Sequence, residues 1–210
     1  MCVALAALEA LPHVNRNALA HAEEHALEVQ LPFLQRVLHE FSLVPLLVGD
    51  ATVEEVAQAL DRVWGGEETL IVVSSDLSHY LGYAAANAID RQTCEAVLAL
   101  RTDIDHEQAC GAIPVAGLAL AARRRKLRPQ LLDRRNSGDT AGDKHRVVGY
   151  GSVDVDIRAH RPEIIPHRPI DIDFRARDHH VSGDGARDGY IRAGGGDVSL
   201  DFRLHLQISS

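Results

Sequence analysis

What the sequence lacks sets its first bounds. There is no basic surface for nucleic acid: the formal charge is −8 over 210 residues, and no Lys/Arg run is long enough to offset it. No apolar stretch approaches the roughly 20 residues that span a bilayer, so no membrane partner is expected. The N-terminal stretch Met1 to Glu9 has no basic segment and carries an early acid, which argues against a secretory signal. Three cysteines, Cys2, Cys94 and Cys110, stand far apart with no C-x-x-C pair, as expected for reduced thiols in a cytoplasmic protein. Lysine is scarce beside arginine, which we read as genome bias. No repeat or low-complexity class fits. The length suffices for one domain with a full core.

What is present is organised around Leu70 to Tyr80 (LIVVSSDLSHY). Leu70 to Val73 is a β-branched run without polar alternation, the pattern of a strand buried on both faces. Ser74, Ser75, Asp76, Ser78 and His79 follow at once, and in open α/β sheets ligands gather beyond the carboxyl ends of strands. Asp76 and His79, three apart, fall on one side of a turn, and a carboxylate beside an imidazole suits acid–base work or metal ligation. The plainer reading makes Ser75 or Asp76 a helix cap.

Elsewhere, strand and helix patterns interleave, which argues for α/β layers. Val3 to Leu11 reads as a short helix stopped by Pro12. Leu27, Leu31, Leu34 and Leu38 form the stripe of an amphipathic helix, in which Pro32 forces a kink or restart. Leu43 to Val48 reads as a buried strand, with Pro45 as a warning. Thr52 and Glu55 form a capping box for a helix with Val53, Val56, Leu60 and Val63 on its inner face, stopped by Gly65-Gly66. An Ala-rich helix follows from Tyr83 to Leu100, with Cys94 as a small buried hydrophobe. Ile113 to Lys126 is a helix apolar nearly all round, ending in Arg123-Arg124-Arg125-Lys126 at the negative pole of its dipole. Cys110 lies just before its N-terminus, where negative charge is favoured, so it is the cysteine placed to react or bind metal. Leu131-Leu132 opens a strand that ends in the turn Asn136 to Asp139, and Arg146 to Val155 reads as the last strand. From 156 to 210 the composition shifts to Arg, Asp, His, Pro and Gly; this tail, His179-His180 included, is expected to be poorly ordered and dispensable.

Four segments together resemble the Memo family. They are Glu24-His25-Ala26-Leu27-Glu28-Val29-Gln30-Leu31-Pro32-Phe33, Ser74-Ser75-Asp76-Leu77-Ser78-His79-Tyr80, Cys110-Gly111-Ala112-Ile113-Pro114, and Asn136-Ser137-Gly138-Asp139 with Val147-Val148-Gly149-Tyr150. Bacterial members are known as protein B of the AmmeMemoRadiSam system. The resemblance covers about residues 4–155. It implies a mixed sheet flanked by helices, like the class III extradiol dioxygenases, around a non-haem iron pocket. By the same resemblance, Cys110 and His79 are the metal-site residues, Asp76 and His79 the pocket acid–base pair, and His25 a supporting histidine. Family segments P-H-A-G-Y and P-S-H, which carry two further histidines, are not in this sequence. The resemblance therefore implies an incomplete domain, shortened at its N-terminus, over residues 1–155.

The expectation is thus a Memo-like pocket for a small molecule or peptide, with iron or another transition metal in the intact family and weak or absent here. Redox activity and association with other members of the system follow for the intact family, and whether this chain catalyses a reaction is left open. Three alternatives remain. His21-Ala22-Glu23-Glu24-His25 matches the H-x-x-E-H pattern of zinc peptidases. Ser75 or Ser78 with His79 could serve a hydrolase, without its G-x-S-x-G elbow. The pocket could also bind a ligand with no chemistry. His25, Asp76, His79 and Cys110 are expected to converge, with His21 pointing away.

Overall fold

The computed structural model describes residues 3–38, 40–66, 68–140, 142–156 and 205–208, with Asp156 and the last four known by backbone alone. It is a mixed α/β fold with helices against a mostly antiparallel five-stranded sheet. Helix α1 (Val3–Glu9) buries Leu8, and α2 (Ala18–His21) is a single turn capped by Asn17. Helix α3 (Leu31–Val37) carries Pro32 in its first turn. Residues 26–30 form only a turn, so the helix restarts at the proline, where a missing N–H is harmless. The strand expected at 43–48 does not form. Pro45 removes a ladder donor, no described strand lies alongside, and Leu46 and Leu47 are exposed.

Helix α4 (Val53–Val63) opens with the expected capping box: Thr52 Oγ1 accepts the Glu55 N–H at 3.2 Å and Glu55 Oε2 accepts the Thr52 N–H at 2.8 Å. It buries Val56, Ala57 and Leu60, with Val53 and Val63 half-buried, and Gly65 at φ +61° ends it. Strand β1 is Val72–Ser74 and β2 is His79–Leu81. Helix α5 (Tyr83–Leu98) and helix α6 (Ala112–Arg124) follow. A β-carbon at Gly117 of α6 would lie 2.4 Å from Val56 Cγ1, so α4 and α6 approach closely enough to require glycine. Arg124 pairs with Glu54 at 2.6 Å, and the Arg125 guanidinium sits 3.9 Å over the Trp64 ring. The basic end of α6 thus ties down α4 as well as facing its own carbonyls.

Strand β3 (Arg128–Asn136), the single turn α7 (Ser137–Thr140) and strand β4 (Val147–Asp156) make a long antiparallel pair. Strand β5 (His205–Ile208) lies between β1 and β4, parallel to the first and antiparallel to the second. Residues 157–204, 209 and 210 of the expected tail, with His179-His180, lie outside the described residues. At His205–Ile208 the tail gives partners to backbone N–H and C=O groups of β1 and β4. Val73, Leu77, Val97, Val115, Leu118 and Val153 belong to the core between sheet and helices.

Candidate functional site

The carboxyl end of β1 feeds a loop, Ser75 to Ser78, that is laced to its neighbours by the backbone. Leu77 N–H donates to the Gly149 carbonyl at 2.9 Å, and Gly149 N–H donates to the Ser78 carbonyl at 2.8 Å. On the other side the loop meets the start of α6. Cys110 N–H donates to the Asp76 carbonyl at 3.2 Å, and Asp76 N–H donates to Cys110 Sγ at 3.1 Å. The Ser75 hydroxyl accepts the Gly111 N–H at 2.8 Å and donates to the Asp76 carbonyl at 2.8 Å. Gly111 has no alternative there, since a β-carbon would fall 2.8 Å from Ser75 Cβ. Residues 34 apart in sequence are thereby held as one unit.

That lacing brings Asp76, His79 and Cys110 together: one ligand atom from each lies within 4.8 Å of the others. His79 Nε2 is 3.2 Å from Asp76 Oδ2, with side chains 32% and 14% exposed. In the neutral ring that bond places the proton on Nε2 and leaves the Nδ1 lone pair. Asp76 Oδ1 is buried and has no hydrogen-bond partner. Burial pushes the Asp76 carboxyl above its ordinary range, although His79 beside it, and more weakly His25, pull the other way. Cys110 is exposed, so the cluster opens to solvent.

His25 is not one of the three clustered donors. Its side chain is 82% exposed, its Nδ1 is 3.6 Å from Glu24 Oε1, and it reaches Asp76 only through its charge. The peptidase pattern is not on a helix either. His21 closes α2, the chain bends at 22 and 23, and Glu24 Oε1 turns back to accept the His25 and Ala26 N–H groups at 2.8 Å each. Two zinc-binding histidines one helical turn apart need the continuous helix that is missing here. The hydrolase alternative fares no better, because Ser75 is committed to Gly111 and Asp76, while Ser78 is fully buried. Cys94 is 2% exposed and its thiol is pushed up to about 11 by burial.

Three supporting features escaped the sequence reading. Gln30, buried, donates from Nε2 to Ser74 Oγ at 3.0 Å, tying the turn before α3 to the end of β1. Strand β2 pairs His79 with Val148 through a bulge, and Tyr80 takes φ +57°, a conformation rare outside glycine. Asp90 of α5 accepts the Ser78 N–H at 3.0 Å from beneath. A lone carboxylate on the buried stripe Ala86, Asp90, Thr93, Cys94, Val97 was the available signal.

The sequence pattern of Memo-like protein matches residues 1–154, which include all four family-like segments. The chain belongs to the Memo-like family. Its similarity extends to a MEMO1 family protein of Aquifex aeolicus, 37% identical over 151 residues, or 66% of this chain and 57% of that relative. A MEMO1 family protein of Methanosarcina acetivorans is 35% identical over 159 residues, 68% and 59% of the respective lengths. A third, from Aeropyrum pernix, is 37% identical over 150 residues, 64% and 53%. The chain thus spans less than two thirds of the family members it matches. Among the described residues, no helix is long and apolar enough to cross a membrane.

Proposed function

We propose that this Memo-like chain carries a transition-metal site made by Asp76, His79 and Cys110, in a pocket like that of the non-haem iron dioxygenases. The observation that carries the reading is the cluster itself, with an unpartnered carboxylate oxygen at its heart. A buried oxygen with free lone pairs and no N–H or O–H to fill them is a place for a cation. A sulfur, an imidazole nitrogen and a carboxylate oxygen together suit iron or zinc better than magnesium or calcium, which take oxygen alone. Asp76 adds a third donor to Cys110 and His79, although structural sites are normally closed by four. The remaining positions are open to water or to a small molecule or peptide, and metal is held weakly.

A bound metal there supplies Lewis acidity or, if iron, one-electron chemistry. The residues do the rest. Asp76 fixes the tautomer and direction of the His79 ring. The Asp76 N–H, directed at Cys110 Sγ, steadies negative charge on that sulfur. Burial raises the Asp76 carboxyl, so protons compete with metal for its oxygen to higher pH than at an exposed carboxylate, and metal affinity rises with pH through that range. A cytoplasmic setting and partners from the AmmeMemoRadiSam system belong to the same proposal. The test is anaerobic equilibrium dialysis against ferrous iron, followed by elemental analysis of both sides of the membrane. The wild type should take up a single ion and lose it to chelator, and Asp76→Ala, His79→Ala and Cys110→Ser should each take up less. Equal uptake by all four would refute the site.

A further inference from the structure

We propose that Asp90 is a positioning residue for His79, its buried carboxylate locking the junction of the Asp76–His79 loop with β4. Asp90 is 1% exposed on the inner face of α5, among Ala86, Thr93, Cys94 and Val97. A carboxylate so placed is destabilising unless hydrogen bonds answer it. The Ser78 N–H does so at 3.0 Å to Oδ1. Arg134 does not pair with it: that guanidinium donates to the Asn87 carbonyl and to Asn87 Oδ1, at 3.2 and 3.1 Å. The carboxylate also lies flat against Gly149, where a β-carbon would meet Asp90 Oδ2 at 2.2 Å and Cγ at 2.5 Å.

Gly149 is the residue whose N–H and carbonyl hold Ser78 and Leu77. Asp90 therefore grips both sides of one seam: the Ser78 amide directly, and the Gly149 peptide through contact that permits no side chain. His79 is the next residue along, and its register against Val148 follows from that seam. Without the grip, the peptide before His79 can rotate, and the 3.2 Å contact between His79 Nε2 and Asp76 loosens. Groups that support a ligand without touching the metal change affinity by roughly 10–100-fold when removed.

The proposal rests on reading Asp76, His79 and Cys110 as the metal site, and its test separates the two. Imidazole 15N spectra of the metal-free protein at fixed neutral pH report the His79 tautomer, and cobalt(II) titration of the same samples reports affinity. Wild type and Asp90→Asn, whose amide oxygen still accepts the Ser78 N–H, should share one His79 form with the proton on Nε2. Asp90→Ala should show mixed tautomers and about 10-fold or weaker cobalt binding. Gly149→Ala, which must push the carboxylate aside, should behave like Asp90→Ala and decides the matter if that variant does not fold. Asp90→Ala (or Gly149→Ala in its place) with a wild-type His79 spectrum would overturn the proposal. So would Asp90→Asn as disordered as Asp90→Ala, since charge rather than the hydrogen bond would then matter. Wild type that binds no cobalt would instead defeat the metal reading, while the tautomer comparison still decides the role of Asp90.

Discussion

Replacing Ser75 with alanine removes one hydroxyl from the seam between β1 and α6. That oxygen accepts the Gly111 N–H at 2.8 Å and donates to the Asp76 carbonyl at 2.8 Å, while its side chain is buried. The two losses are unequal. The Asp76 carbonyl keeps the Cys110 N–H at 3.2 Å, so its loss is one ordinary hydrogen bond, about 1 kcal/mol. The Gly111 N–H is left with no acceptor on a surface already closed by Ser75, and an unpaired buried donor costs about 1–3 kcal/mol. Alanine leaves almost no cavity, so little is added for packing. A net loss of about 2–4 kcal/mol follows. Urea unfolding measures it as a lower midpoint with an unchanged slope. A loss below about 0.5 kcal/mol would show that water replaces the hydroxyl, and that the lacing of Cys110 to Asp76 does not depend on Ser75.

Other outcomes follow from the same geometry. In the native protein Cys110 should react with a thiol reagent, whereas Cys94, buried with its thiol pushed up to about 11, should react at least about 10³-fold more slowly, as peptide mapping would show. Burial raises the Asp90 carboxyl, so the native state holds its proton to higher pH than the unfolded chain. Its stabilising contribution is complete below the unfolded pKa and is lost as pH rises through the folded one. The stability of Asp90→Asn relative to wild type should therefore increase with pH, by at most about 1.4 kcal/mol per pH unit; a flat difference in urea midpoints would contradict this. A chain ended at Val155 loses the β5 strand from between β1 and β4, and its stability by urea unfolding should fall by about 1 kcal/mol or more. Unchanged stability would mean that the tail is dispensable, as its composition suggests.

The parts of the fold visible in the sequence are those whose signals are local. Thr52 and Glu55 announce the start of α4 because both halves of the capping box lie within four residues. The apolar run of α6 announces burial because every side of that helix is covered. The gathering of Asp76 and His79 with Cys110 follows from strand-end geometry, and three of the four expected residues meet. His25 does not join them, since the turn 26–30 gives its side chain to solvent instead of to the cluster. What stayed hidden depends on distant partners. Strand β2 is three residues with a left-handed Tyr80 and exists only because Val147 and Val148 pair with it. The segment 43–48 has strand composition and no strand beside it among the described residues. Asp90 shows in the sequence only as a lone carboxylate on an apolar stripe, and its partners Ser78 and Gly149 lie too far along the chain to be read there.

X-ray absorption on the zinc-loaded protein reads out whether Asp76, His79 and Cys110 bind one metal ion. A single sulfur at about 2.3 Å is expected, with nitrogen and oxygen neighbours at about 2.0–2.2 Å, the sulfur vanishing in Cys110→Ser. A zinc environment of nitrogen and oxygen alone, unchanged by Cys110→Ser, would contradict it.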